Sequence, residues 1–280
     1  IYETGEYVKR DINKAIHYYS LASYQNDPQS QYNLGIIYYS GFYCKKDIHK
    51  GKQYIMLSSY NEYRPANFAH GFLLHKEKKI TEAIHYYKEA SSFNIQYAKN
   101  NLGIIYKHGF GDEIPKRIGN SIEYFEEAIR QKNDILSMYN LAHIHFYEET
   151  IKRDIDKSIE LLIKSSSEFE HSFIFLCVVL IKTFEFNTET IKREIGKRVE
   201  KTNELYEKIS TAVNSLMKLG ELLVDYLYEA YRDKDFLYDV LCQYVCTSDL
   251  LKENSEQNKK DPRLKDISED FYEGFGYDLI

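Results

Sequence analysis

Residues 32–41 read YNLGIIYYSG, and residues 100–109 read NNLGIIYKHG. The pentapeptide LGIIY thus occurs at Leu34–Tyr38 and again at Leu102–Tyr106. A second pentapeptide, AIHYY, occurs at Ala15–Tyr19 and at Ala83–Tyr87. Both pairs are displaced by the same interval, 34 to 102 and 15 to 83. One match would be coincidence; two in register point to internal duplication.

Working outward, Gly5, Gly41 and Gly109 close one motif, while Gly35, Gly71 and Gly103 stand in its middle, followed by Ala142 at the next equivalent position. Steps of this size belong to helical-pair repeats, in which a unit cannot bury its apolar face alone and stacks on its neighbours. Within QYNLGIIYYSG, Leu34, Ile37 and Tyr38 fall at helical spacing. Gly35 removes a side chain from that face and lets a second helix approach. Gly41 suits the left-handed residue that ends a helix. After the loop FYCKKD, Asp47 stands where an N-cap belongs, ahead of a helix carrying Ile48, Tyr54, Ile55 and Leu57. The same grammar opens at Asp11, Ile80, Asn120 and Asp154. Asn26-Asp27-Pro28 reads as a turn whose proline starts the next first helix.

The pattern Tyr-x-Leu-Gly-x-x-Tyr-x-x-Gly, a loop, then Asp-x-x-Lys-Ala and an aromatic helix, resembles the Sel-one-like repeat (SLR) family, kin of tetratricopeptide repeats, over residues 1–182. Several units depart from it. His70 replaces the leucine before Gly71, Ala142 replaces the glycine, and Gly51, Ser121 and Ser158 replace the second-helix alanine. The third unit, LLHKEKKITEA, lacks the closing glycine and the longer loop. The resemblance implies an all-α fold, a right-handed α-solenoid of antiparallel helix-turn-helix repeats with C-terminal capping helices. It also implies a concave face lined by first helices, and adaptor roles in signalling and in ubiquitin-ligase complexes.

Beyond residue 182 the character changes. Residues 188–209 place Ile191, Ile195, Val199, Tyr206 and Ile209 on one helical stripe, residues 211–231 form a second amphipathic stretch, and 236–245 a third. Residues 183–250 are therefore expected to be degenerate repeats or a cap, and residues 251–280 a polar, acidic tail.

Composition narrows the function. A formal charge of −6 gives no footprint for a phosphate backbone, so nucleic acid is not an expected partner. The longest apolar run, at 173–181, is too short to cross a bilayer, and no membrane insertion is expected. The chain opens without a signal-like stretch, and Ile1 reads as an interior residue of a longer protein. Four cysteines and no N-x-Ser/Thr sequon favour a reducing, cytoplasmic setting.

The main candidate site is a ladder. Asn33, Asn101 and Asn140 share one repeat position, and Ile37 and Ile105 follow the first two by one turn. In the tetratricopeptide kin this position points into the groove, where its amide bonds an extended peptide. That implies a peptide-binding or partner-binding groove. Tyr38 and Tyr106 are expected to pack between helices rather than form a cage. His143 and His145 point to different helix faces, and His145 with Glu149 lacks a third metal ligand. Cys242 and Cys246 are not a Cys-x-x-Cys pair, and Gly109-Phe110-Gly111 lacks the rest of a phosphate loop. No catalytic constellation is present in the sequence, so neither enzyme activity, nor a cofactor, nor a small-molecule substrate is expected. The expected function is a non-catalytic scaffold that binds protein or peptide. The alternative is a regulatory or targeting domain of a larger enzyme or ubiquitin-ligase-type complex.

Overall fold

The computed structural model describes residues 2, 9, 11–41, 43–93, 95–200 and 204–219. Within them lie twelve α-helices and no strand beyond one isolated bridge, Phe110 with Ile114. The expected all-α helical-repeat class is what is found. α1 (Ile12–Tyr24) is followed by helix pairs α2 (Pro28–Ser40) with α3 (Ile48–Tyr60), α4 (Arg64–Lys76) with α5 (Ile80–Ser91), α6 (Gln96–His108) with α7 (Ile118–Lys132) and α8 (Ile135–Tyr147) with α9 (Ile155–Ser165). α10 (Glu170–Thr183), α11 (Thr188–Arg198) and α12 (Glu204–Leu219) complete the described chain. Two compact units result, one of residues up to 105 with 109–115, the other of 106–108 with 116–219.

Helix starts follow the sequence closely. Asp11, Asp27, Asp47, Asp134, Asp154 and Asn187 each accept a backbone N–H three residues on, at 2.8–3.1 Å. Each satisfies one amide that the first turn would leave orphaned. Pro28 opens α2 as expected, and Gly41 closes it at φ 72°. Asn26, Glu62 and Asn133 are left-handed residues, each at a turn from a second helix into the next first helix.

Between the two helices of a pair the loops differ in length, yet one closure recurs. The residue before each second helix donates its N–H back to the first helix: Asp47 to Tyr38, Lys79 to Leu74, Arg117 to Tyr106 and Asp154 to His145, at 2.7–3.1 Å. Asp11 makes the same bond to Tyr2 at 2.9 Å. Every acceptor of the four full pairs lies three residues beyond the small residue at the middle of its motif, which explains why the short third unit still keeps register.

That small residue sets how near two helices come. A Cβ on Gly35 would lie 2.7 Å from Ile55 Cγ1 and 3.0 Å from the Ile55 nitrogen, and one on Gly51 would lie 2.6 Å from the Tyr39 nitrogen. α2 and α3 therefore cross backbone to backbone at two glycines. In the next pair a Cβ on Gly71 would meet Tyr87 Cδ1 at 2.9 Å and the Ala83 carbonyl at 3.3 Å. At α8 and α9 the pair is Ala142 and Ser158, and the Ser158 hydroxyl donates to the Ala142 carbonyl at 2.9 Å. Large side chains fill the space around each crossing. Ile55, Phe125 and Leu162, one per second helix at the same repeat position, are fully buried, and so is Tyr87.

α7 begins at Ile118, with Arg117 as its cap, rather than at Asn120. The bond from Arg117 to Tyr106 delivers the chain there, and Ile118 is buried. The stripe at 188–209 is not one helix. Val199, β-branched and buried, turns extended at ψ 132° and ends α11, and α12 begins at Glu204. α12 packs on α10 and α11. The expected helical stretches beyond residue 219 and the tail lie outside the described residues.

The crossing makes a direct prediction. Gly35→Ala should cost about 1–3 kcal/mol by overpacking, whereas Gly119→Ala, where a Cβ meets nothing within 4 Å, should gain about 0.5–1 kcal/mol from helix propensity. Urea melts of the two single variants check this, and equal effects would mean the close crossing is absent.

Candidate functional site

The ladder position sits on the first helix of each pair, two residues before the crossing residue. Its three asparagines are not placed alike. Asn33 on α2 is half-buried, whereas Asn101 on α6 is 1% exposed and Asn140 on α8 is 4% exposed. Ile37 and Ile105 are buried core residues. Asn33 and Asn101 belong to one compact unit and Asn140 to the other. Of the ladder, then, Asn33 has side-chain surface that a partner reaches without displacing the core.

Asn101 lies against Tyr87, whose phenol is pushed well above its ordinary range by complete burial, an effect the Asn101 amide partly offsets. Neither the Tyr87 hydroxyl nor either end of the Asn101 amide forms a bond of full hydrogen-bonding geometry. The two groups are neighbours without a formed bond.

The tyrosines beside the loops show a repeated device. Tyr2 stacks on Tyr18 at 5.5 Å, Tyr38 on Tyr54 at 6.0 Å and Tyr106 on Tyr124 at 5.8 Å, with ring planes within 11°. All three pairs occupy equivalent repeat positions. Lys14 and Lys50, equivalent residues of α1 and α3, rest their ammonium groups over Tyr2 and Tyr38, at 5.4 and 3.9 Å. The interaction with Tyr38 raises the Lys50 pKa. These rings join helix to helix, as expected of Tyr38 and Tyr106.

The same position explains the His143-Ile144-His145 motif. His145 stands where Tyr38 and Tyr106 stand, and Lys157 where Lys50 stands. His145 is buried, its pKa lowered by desolvation and then by Lys157. His143 packs instead against Tyr147 at 4.6 Å and Phe175 at 5.7 Å. Among the described residues no group of three or more His, Cys, Asp or Glu is arranged to hold a metal ion. Gly109-Phe110-Gly111 is a turn, with Gly109 and Gly111 at φ 66° and 58°. Cys177 is a buried thiol pushed up to about 12 by desolvation. Cys242 and Cys246 lie outside the described residues.

Sequence reasoning missed a polar cluster around His70, the residue that replaces the motif leucine. His70 Nδ1 lies 3.2 Å from the Ser59 hydroxyl, which donates to Asn67 Oδ1 at 2.7 Å. The serine proton being thus used, His70 donates from Nδ1. Its ring packs 4.1 Å from Tyr86 and edge-on to Tyr60 at 5.6 Å. The signal was there: a histidine at a core position needs polar neighbours, and Ser59 and Tyr60 close the preceding second helix. His75, five residues on, is half-buried and packs against Tyr87 and Phe110.

The family model for the Sel1 repeat matches residues 1–27, 28–55, 68–92, 96–133 and 135–168, more than half of the chain. The chain belongs to the Sel1 repeat family. Among solved structures it is similar to a Sel1 repeat protein from Oxalobacter formigenes, at 19% identity and a TM-score of 0.59, covering 79% of this chain and 84% of that one. It is also similar to c5321, a protective antigen of uropathogenic Escherichia coli strains displaying an SLR fold, at 16% identity and a TM-score of 0.60, covering 93% of this chain and 62% of that one. At such identities the likeness shows the fold alone. No curated protein matches the sequence. Sel1 repeats are generally non-catalytic and mediate protein interactions. Among the described residues no helix is long and apolar enough to cross a membrane.

Burial holds both His70 and His75 down to about 4, with Glu77 raising and Lys79 lowering the former. Both rings are neutral when folded and take up a proton at their ordinary pKa when unfolded. Their stability contribution is full above about pH 6.5 and is lost as pH falls towards 4. At pH 4 each costs up to about 3 kcal/mol. His70→Leu, which restores the motif residue, should therefore lessen the fall in melting temperature between pH 6.5 and 4. An unchanged pH profile would place His70 in contact with water.

Proposed function

We propose that this Sel1-repeat chain is a non-catalytic scaffold that binds a protein segment, with the asparagine-bearing face of its first helices as the contact surface. Within that face Asn33 makes the polar contact, because its amide is reachable and its neighbours Leu34, Ile36 and Ile37 hold it on a rigid helix. Asn101, with Ile105, supports the same face from within. The observation that carries the reading is the run of five Sel1 repeats, a fold whose units supply a continuous side-chain array and no catalytic constellation.

A second surface is favoured by one specific feature. Leu21 and Tyr24 on α1 share repeat positions with Leu57 and Tyr60 on α3, and all four are exposed, at 42–87%. Equivalent residues further along are Glu89, Ser92, Glu127 and Arg130. Apolar side chains at matching positions of two successive second helices, giving way to charge, are what a protein-docking face looks like.

Partner capture from a native extract distinguishes these surfaces, using the chain, Asn33→Ala and the double variant Leu21→Ser with Leu57→Ser. Asn33→Ala should lose bound proteins while shifting the melting temperature by less than about 2 °C. Asn140→Ala, which removes a buried amide, should instead destabilise by about 1–2 kcal/mol. Loss only from the double variant would move the contact to the exposed side of α1 and α3, and an unchanged set from both would contradict the reading.

A further inference from the structure

The chain carries a formal charge of −6, yet one edge of its first compact unit is strongly basic. The loop from α2 to α3 and the start of α3, residues 44–52, hold Lys45, Lys46, Lys50 and Lys52 against one carboxylate, Asp47. The end of α4 and the loop to α5, residues 75–79, hold Lys76, Lys78 and Lys79 against Glu77 alone. These stretches are neighbours in space, since Lys52 Nζ reaches Glu77 Oε1 at 2.8 Å and Lys79 Nζ reaches Glu77 Oε2 at 3.1 Å.

Both local carboxylates are already engaged. Asp47 caps α3, and the Lys52 and Lys79 bonds hold the Glu77 carboxyl below its ordinary range. Lys45, Lys46 and Lys78 are exposed and meet no carboxylate among the described residues. Their charge is left for something outside the unit. On the far side the edge is bounded by the exposed acids Glu82, Asp112 and Glu113, the last accepting from Thr81 at 3.3 Å. A sign change of this kind orients a charged ligand as well as attracting it.

The feature recurs with the repeat. Positions 9–10, 45–46, 78–79, 116–117 and 152–153 are all Lys/Arg pairs, and each pair stands just before a second helix. Three of these pairs, 9–10, 45–46 and 152–153, stand before a capping Asp, and 78–79 and 116–117 directly abut the helix. Five such pairs in a chain with more acidic than basic residues are not a consequence of composition.

We propose that the loop edge formed by residues 44–52 and 75–79 binds an acidic segment of a partner protein, one rich in Asp and Glu. This rests on the reading of the chain as a protein scaffold and names the chemistry of the segment it takes. An extended segment fits because the lysines lie along successive loops rather than around one point. Protein is favoured over nucleic acid because the acids at the boundary and the negative remainder of the chain would repel a long phosphate backbone.

The test measures binding of a fluorescein-labelled oligoglutamate peptide to the full chain by anisotropy, at low and at physiological salt. The variant Lys45→Glu, Lys46→Glu and Lys78→Glu should weaken binding about tenfold or more, and binding to the parent chain should fall as salt rises. A control with the same net charge, Lys88→Glu, Lys132→Glu and Lys164→Glu, all exposed positions on second helices, should change it less than about twofold. Equal loss in both variants would reduce the effect to general attraction, and no binding by the parent chain would overturn the proposal. Tighter binding of a DNA duplex of equal charge would overturn it in favour of nucleic acid. Proteins captured from an extract equally well by the loop-edge variant would leave the scaffold reading intact and remove the acidic segment.

Discussion

Everything in this chain depends on how closely two helices of a repeat can approach. Where Gly35 faces Ile55 and Gly51 faces Tyr39, no room remains for even a methyl group. The backbones therefore meet, and side chains interdigitate on either side rather than between them. Once the crossing is fixed, the loop amide falls opposite the same carbonyl in every pair, and the tyrosine three residues past the crossing meets its partner on the second helix. Ala142 and Ser158 show the tolerance of the device. A methyl and a hydroxyl replace two glycines, and the added hydroxyl is bonded to the carbonyl it crowds.

Much of this was legible in the sequence because it is local. Asp47 and Asp154 as caps, Pro28 as a first residue and Gly41 as a left-handed terminus each follow from the chemistry of one residue and its neighbours. The break at Val199 was not legible, since a stripe of apolar residues looks the same whether one helix or two present it, and Val199 ends α11 by burying its side chain in an extended conformation. The candidate site was legible as a register and not as a surface. Asn33 and Asn101 occupy one repeat position, yet their exposure depends on what packs over each helix, which no local pattern records. His70 read as a departure from the motif; its partners Ser59 and Tyr86 come from two other helices.

The repeat separates stability from recognition. First helices are largely buried and hold the small crossing residues, whereas second helices and loops carry the exposed side chains that differ between units: Leu57 becomes Glu89, and the basic loops face a largely acidic chain. Changes at those positions leave the crossings untouched, so the surface of such a chain is free to specialise for its partner while the fold stays the same.

The close crossing is tested most directly by a double-mutant cycle between residues 35 and 55, with stability read from urea unfolding of Gly35→Ala, Ile55→Ala and the double variant. If the added methyl at 35 strikes the Ile55 side chain, the double variant will be more stable than the sum of the single losses by about 1 kcal/mol or more. Strict additivity would mean that the two residues do not meet, and the account of the fold built on that contact would fail.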